Sequence, residues 1–300
     1  MGVAPDPLSR YWDVATDSFV GYARYLWHDI TEPSAHSWFY VLLAVSAAAL
    51  AAERLWPWRP QQPLLREGFW LDTFYLFFNF FGFSLVGFAA LSDVATIALR
   101  DALAQLGVGA LTAVDAASWP IPAQLAVFFV GRDFIHYWVH RTLHKLPALW
   151  RVHEVHHSVR EMGFAAHMRF HPLETVIYRS VEYLPLSALG FDLDHLFYAH
   201  LTALIIGHCN HANFRLPLGP LRYLLNSPQM HIWHHAIDLP EERLRRHGGV
   251  NFGVSLSVWD YLFGTAHVPR SGRDEALGFE GIERYPQRFF GQLVAPFRRR

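Results

Sequence analysis

A long uncharged run, Thr73 to Leu91, constrains the fold of this chain more than any other stretch. Its nineteen residues are interrupted only by Asn79 and two glycines. A helix of about twenty apolar residues spans the hydrocarbon core of a bilayer, so this run predicts a membrane helix. The composition agrees with this interpretation, because 52% of the residues are hydrophobic and only 17% are charged.

Further apolar runs extend the interpretation to a helical bundle. They cover residues 37–52, 121–130, 173–189 and 196–207. The run at 121–130 leads directly into a histidine-rich stretch, and we expect the last two runs to form a hairpin that dips into the membrane and returns. The predicted fold class is therefore all-α: an integral membrane bundle of about four to five membrane-embedded helices, with a histidine-rich helical cap.

Arginine bias predicts the orientation of this bundle. The connections at 53–67 and 141–170 and the C-terminus are basic, whereas the connections at 92–118 and 190–195 are acidic. Alternation through the apolar runs then places the N-terminus outside. It also brings every histidine array to the same, cytoplasmic side.

Charge and cysteine content exclude several classes of protein. The net charge is -1, which gives no indication of nucleic-acid binding. Cys209 is the only cysteine, so an intrachain disulfide and a cysteine-ligated zinc or iron–sulfur site are excluded. The outlier is histidine, with nineteen residues.

Clustered histidines indicate a metal site. Two His-x-x-His-His arrays occupy 153–157 and 231–235, and His140-x-x-x-His144 precedes the first. Histidines at i, i+3 and i+4 share one helical face, and neutral imidazole is a common metal ligand. One zinc accepts about four protein ligands, so eight histidines indicate two metal ions. These histidines are His140, His144, His153, His156, His157, His231, His234 and His235.

Two more histidines arrive at the same predicted membrane face. His208 and His211 end the apolar hairpin at i, i+3 spacing, and we expect both as additional ligands. The alternative is hydrogen bonding within the cavity. His171, directly before Pro172, is open between a ligand and a structural role.

One acid and one histidine are predicted to support the ligands. Asp133 lies one turn before His136 and two turns before His140, where its carboxylate can accept an imidazole N–H and fix the tautomer. Pairing with Arg132 explains Asp133 equally well. We expect His136, one turn deeper than His140, to form a hydrogen bond near the site.

The first array also contains a competing signature. His153-Glu154-x-x-His157 matches the H-E-x-x-H motif of zinc metalloproteases, with Glu154 as general base. That hypothesis leaves the array at 231–235 unexplained. A ferritin-like carboxylate site would need two Glu-x-x-His motifs, and only Glu154 and His157 provide one. A histidine-rich metal carrier or a haem-binding membrane protein is the non-enzymatic alternative.

The order and spacing of these motifs resemble the fatty acid hydroxylase superfamily, which includes sterol desaturases, sphingolipid hydroxylases and alkylglycerol monooxygenase. The resemblance covers roughly Ala123 to His267 and includes Asn251-Phe-Gly and Trp259-Asp-x-x-Phe-Gly-Thr after the second array. The segment Arg169-Phe-His171-Pro-Leu-Glu174 is similar to one in bacterial members. The resemblance implies three parts of the chain: residues 1–122 with the first two membrane helices, a catalytic domain at 123–267, and a polar tail at 268–300.

The resemblance implies a specific chemistry. Members are integral membrane enzymes in which histidines hold two iron ions, and they use O2 to hydroxylate or desaturate a lipid. The eight array histidines would be the core ligands, and His208 and His211 would fill the place of the additional ones. A fused cytochrome domain is absent, so electrons would come from a separate reductase or electron carrier. We therefore expect a bacterial inner-membrane protein with its histidine site on the cytoplasmic side.

Overall fold

The computed structural model describes residues 7–83, 116–187 and 193–298, together with five isolated positions between 94 and 105. Within these residues the fold is all-helical, and only isolated bridges such as Ala236–Leu277 pair extended backbone. The prediction of an all-α fold is confirmed for this part of the chain. The helices are α1 (Pro7–Thr31), α2 (Trp38–Leu55), α3 (Phe69–Phe77), α4 (Ile121–Lys145), α5 (Pro147–His157), α6 (Pro172–Ser187), α7 (Leu193–His211), α8 (Pro228–His234), α9 (Glu241–His247), α10 (Val258–Leu262) and α11 (Phe289–Val294).

The first predicted membrane helix corresponds to α2. It begins after Ser37, where both Asp29 carboxylate oxygens accept the backbone N–H groups of Trp38 and Phe39, at 2.9 and 2.8 Å. This capping satisfies two of the donors that a helix start leaves free. Among the described residues, α2 is the one helix both long and apolar enough to cross a membrane. The predicted bundle of four to five membrane-embedded helices is therefore not confirmed, because the described residues contain one candidate span.

The second apolar run begins as α3 and continues as a π-helical turn, Phe78–Gly82. Such turns insert an extra residue into the helix and are frequent at functional sites. Asn79, the polar residue within the run, is 1% exposed and lies in this turn. The remainder of the run, from residue 84 to Leu91, lies outside the described residues.

Helices α4 and α5 form the hairpin that presents the first histidines. The third apolar run and the histidine stripe are one continuous helix, α4, as the sequence predicted. Leu146 is extended because it precedes Pro147, and Pro147 starts α5 at its first position. The sharp turn folds the C-terminal end of α4 against α5.

The later histidines are carried by α7 and α8. Helices α6 and α7 correspond to the two arms of the predicted hairpin. Ser227 caps α8 by accepting the N–H of Met230 at 3.3 Å, so the second array begins in a well-defined turn. Ile232 and Trp233 on α8 pack with Val159, Met162 and Leu277 in a buried cluster beside the site.

The C-terminal segment folds back onto the histidine-bearing helices. Leu277 lies in the buried cluster around α8, and Tyr285 packs with Tyr75 and Val155. The N–H of Gly278 donates to the carbonyl of His235 at 2.9 Å. Residues 268–298, expected from composition to be a polar tail, therefore cover one side of the site.

Candidate metal centre

Nine of the ten histidines predicted as ligands converge in two buried groups. Within each group, one side-chain nitrogen per residue lies within 4.8 Å of all the others. The five-histidine group consists of His140, His144, His153, His157 and His234. The four-histidine group consists of His156, His211, His231 and His235. Helices α5 and α8 each contribute histidines to both groups: α5 gives His153 and His157 to the first and His156 to the second, and α8 gives His234 to the first and His231 to the second.

The Nε2 atoms of neighbouring rings face one another. Five pairs are 3.0–3.3 Å apart: His140–His153 and His231–His235 at 3.2 Å, His144–His157 at 3.1 Å, His156–His211 at 3.3 Å and His211–His231 at 3.0 Å. The edges of octahedral and tetrahedral shells with bonds of about 2.1 Å are about 3.0 and 3.4 Å long. The separations therefore match those of ligands around a metal ion.

Backbone carbonyls fix which nitrogen of several rings carries the proton. The Nδ1–H groups of His140 and His234 donate to the carbonyls of Phe252 and Val250, at 2.7 and 2.8 Å. A carbonyl only accepts, so each of these imidazoles in its neutral form presents an unprotonated Nε2. The residue between the two acceptors is Asn251, whose φ of 53° turns the backbone so that both carbonyls point inward.

The same arrangement occurs in the four-histidine group. His156 donates from Nδ1 to the carbonyl of Arg169 at 3.2 Å, and His211 donates to that of Gly207 at 2.8 Å. Their Nε2 atoms, 3.3 Å apart, are then two lone pairs that face each other. A cation that binds both lone pairs removes this repulsion. The residues present therefore fit a bound metal ion.

Burial keeps these rings in the neutral form that binds metals. It lowers the pKa of His153, His157, His234 and His235 well below 6.5, and that of His156 to about 4. An imidazole with a low pKa is deprotonated at neutral pH and can donate its lone pair. The Nε2 of His234 is buried with no hydrogen-bond partner, as expected for a donor atom aimed at a metal position.

Glu174 was not among the predicted site residues, yet it contacts one of the ligand candidates. Its Oε1 accepts the Nδ1–H of His153 at 2.9 Å, and its side chain is 4% exposed. Its position three residues after His171 was visible in the sequence, but the contact depends on α6 packing beside α5. A carboxylate behind a histidine raises the basicity of the ring and fixes its orientation.

His208 is the predicted ligand that lies outside both groups. Its Nε2 is 3.2 Å from the Ser46 hydroxyl on α2, and its Nδ1 is 3.0 Å from Nδ1 of His167. The structure thus gives His208 the hydrogen-bonding alternative that the sequence left open. His136 forms a 2.5 Å contact with Glu182, and His171 binds the carbonyl of Leu293 at 2.9 Å. Neither belongs to a histidine group.

Asp133 does not contact an imidazole as the sequence suggested. Its carboxylate accepts the backbone N–H groups of Ser255 and Leu256, both at 3.1 Å, and the indole N–H of Trp259 at 2.9 Å. The Asp133 side chain leaves α4 on the side that faces residues 251–260. Asp133 therefore anchors the loop that carries Phe252.

The metalloprotease signature is not favoured by this geometry. His153 and His157 share their group with three further histidines, whereas a zincin needs only one additional ligand. Glu154 is 3% exposed and belongs to neither metal-binding group of the described residues. The array at 231–235, which that hypothesis leaves unused, is instead integral to both groups.

In the described part of the chain, helices bring nine imidazoles, eight of them buried, together in two groups, which defines a histidine-rich site able to hold metal ions. Residues 125–265 match the model of the family described as fatty acid hydroxylase. The chain is thus similar to that family over these residues, and recognition of the superfamily from the histidine spacing is confirmed.

Relatives with assigned activities belong to the same superfamily. The chain is 32% identical over 182 residues to ornithine lipid hydroxylase OlsE of Rhizobium tropici, a match covering 61% of this chain and 53% of that protein. Human alkylglycerol monooxygenase is 32% identical over 149 residues, which is 49% of this chain and 31% of that protein. Rat methylsterol monooxygenase 1 is 29% identical over 142 residues, or 45% and 44%. The chain thus spans about half or less of these relatives, and no solved structure matches it.

Proposed function

We propose that this protein is a membrane-bound, non-haem di-iron oxidoreductase that uses O2 to hydroxylate, or desaturate, a lipid. The observation that carries the proposal is the convergence of nine imidazoles in two groups, one of five and one of four. Imidazole suits iron as well as zinc and copper. The relatives are named as an ornithine lipid hydroxylase, an alkylglycerol monooxygenase and a methylsterol monooxygenase, and these names support oxygenation of a lipid.

The two groups would each hold one metal ion. His140, His144, His153, His157 and His234 would hold the first, and His156, His211, His231 and His235 would hold the second. We assign His208 to hydrogen bonding beside the second group. The second group would supply four imidazole ligands, one fewer than the first.

When bound, a reduced iron pair supplies the activation of O2 needed to attack an unactivated C–H bond. The chain supplies the environment for that chemistry. Carbonyls of Phe252, Val250 and Arg169 hold the protons at the Nδ1 atoms, so that the opposite nitrogens stay free. Burial of the histidines excludes bulk water from the site, which protects the reaction from unproductive consumption of O2. Electrons come from a separate reductase or electron carrier.

Oxygen consumption with matched lipid analysis tests this function. Cells with and without the gene should differ in a lipid by one oxygen atom or by two hydrogens, and the purified protein with a reductant should consume O2 in step. His234→Ala should abolish both signals. Glu154→Gln provides the contrast, since a metalloprotease would lose all activity and the proposed oxygenase would retain it. A peptide-bond cleavage dependent on Glu154 would overturn the proposal.

We further propose that the chain is an integral protein of a bacterial inner membrane with four to five embedded helices and the histidine site on the cytoplasmic side. The apolar span α2 and the arginine-rich connections support this topology. In a Cys209→Ser background, a cysteine introduced at exposed Ser271 should react with a membrane-impermeant maleimide only after the inner membrane is opened. Labelling of intact spheroplasts would contradict the cytoplasmic placement.

A further inference from the structure

The backbone that orients His156 is itself supported by residues from outside the matched domain. His156 donates to the carbonyl of Arg169, which follows the 3₁₀ turn Phe164–Met168. This turn packs against α3: Phe69 packs against the buried cluster that contains Phe164 and Ala165, and Met168 packs against the cluster that contains Leu76. Helix α3 lies at residues 69–77, whereas the family match begins at residue 125.

The turn is held on both sides of Arg169 by one amide. The Nδ2 of Asn79 donates to the carbonyls of Met168 and Phe170, at 2.8 and 2.9 Å. With its neighbours held by Asn79, the carbonyl of Arg169 is free to accept from His156. Asn79 is 1% exposed, so these bonds form without competition from bulk water.

The guanidinium of Arg169 is held by Asp72 of α3. Asp72 lies on α3, seven residues before Asn79 in the π-helical turn that continues this helix. Its Oδ1 accepts from Arg169 at 3.2 Å, and its Oδ2 accepts from Arg66 at 2.5 Å. Asp72 is fully buried, and both arginine side chains are 2% exposed. Removing one partner of such a buried ion pair strongly destabilises a protein, so Asp72 holds the Arg169 side chain in one position.

We propose that Asp72 and Asn79 form a clamp on residues 168–170 that positions His156 as a ligand of the four-histidine group. The two side chains are positioning residues, since they act on the ring only through Arg169. This inference rests on the proposed function, because it takes the histidine groups to be metal sites. It also explains why an otherwise apolar run carries a buried asparagine.

Asn79→Leu tests the clamp with the least disturbance to the fold. Leucine has a similar volume and suits the apolar run, but it cannot donate to the two carbonyls. We expect the apparent Fe²⁺ affinity of the four-histidine group to fall by about 10-fold, the lower end of the effect of losing a direct outer partner, because the Arg169 carbonyl remains but is no longer held in place. The affinity of the five-histidine group should remain within about twofold of wild type.

Anaerobic Fe²⁺ titration against a competing chelator gives the two affinities separately, and Mössbauer spectra show which environment is lost. His156→Ala marks the signal of a damaged four-histidine group. Gln124→Leu is the matched control, because the buried Gln124 amide donates to the carbonyl of Trp119 at 2.7 Å, at the start of α4 and sixteen residues before His140. We expect Gln124→Leu to bind both ions as wild type does.

Each outcome of this experiment is decisive. Selective weakening in Asn79→Leu supports the clamp. Unchanged affinities for both ions in Asn79→Leu, or equal weakening of both groups, overturn it while the di-iron proposal stands. A wild-type protein that binds no Fe²⁺ overturns the proposed function itself. Return of the second affinity in Asn79→Gln, which restores the amide donors, would further support positioning over a general loss of packing.

Discussion

At the scale of single residues, the site depends on how each imidazole is held from behind. Most partners are backbone carbonyls, which sequence motifs cannot reveal because every residue has one. Asn251 is the visible trace of two of them, since its side chain binds the carbonyls of Met230 and His267 at 2.9 and 2.8 Å and so fixes its left-handed conformation. Asparagine tolerates that conformation better than most residues. The histidines themselves could be read from spacing alone.

Glu174 gives a prediction at this scale, because it is a side-chain partner that can be changed without altering the backbone. Glu174→Gln keeps the size of the side chain but replaces the carboxyl group that contacts Nδ1 of His153 by an amide. We expect the five-histidine group to bind its metal ion about 10–100-fold more weakly, with the four-histidine group unaffected. Chelator competition measures both affinities. Equal affinities in wild type and variant would show that Glu174 does not support His153.

At the scale of elements, helical periodicity was the most informative signal. The i, i+4 stripe on α4 and the i, i+3, i+4 arrays on α5 and α8 lie on helices, as predicted. What periodicity could not provide was the pairing between helices. His156 belongs with His211, although it neighbours His157 in the chain. The direction of Asp133 was missed for the same reason, because its partners come from a loop more than 120 positions later.

Asp133 supplies the prediction for the contact between α4 and the 251–260 loop. Asp133→Asn replaces one acceptor by a donor, so at least one buried N–H of Ser255, Leu256 or Trp259 loses its partner. An unsatisfied buried donor costs about 1–3 kcal/mol. The thermal midpoint of the purified protein in detergent should fall by several degrees, and metal affinity should weaken because Phe252 lies in the same loop.

The control for this variant is Asp13→Asn, which removes a charge from the exposed face of α1. It should leave the midpoint unchanged. If Asp133→Asn unfolds at the wild-type temperature, the carboxylate does not anchor the loop.

At the scale of the whole molecule, the site is assembled from segments far apart in the chain. Helices α4 and α5 meet α7 and α8, while α3 and the C-terminal segment contribute contacts from outside the matched domain. Composition predicted a polar tail at 268–300 because that segment has few long apolar runs. Its contacts with the rest of the molecule come from scattered anchors: Leu277 packs in the cluster around α8, whereas Tyr285 and Phe289 pack around Tyr75 of α3. Such anchors have no periodicity for a sequence to show.

The central claim, that two histidine groups hold two iron ions, is tested most directly by the metal content of purified wild type, His156→Ala and His234→Ala. These variants remove one ligand candidate from each group. We expect two iron ions per wild-type chain, with each variant losing the ion of its own group while the other group stays filled. Substoichiometric metal in wild type, or the same metal content and turnover in both variants, would contradict it.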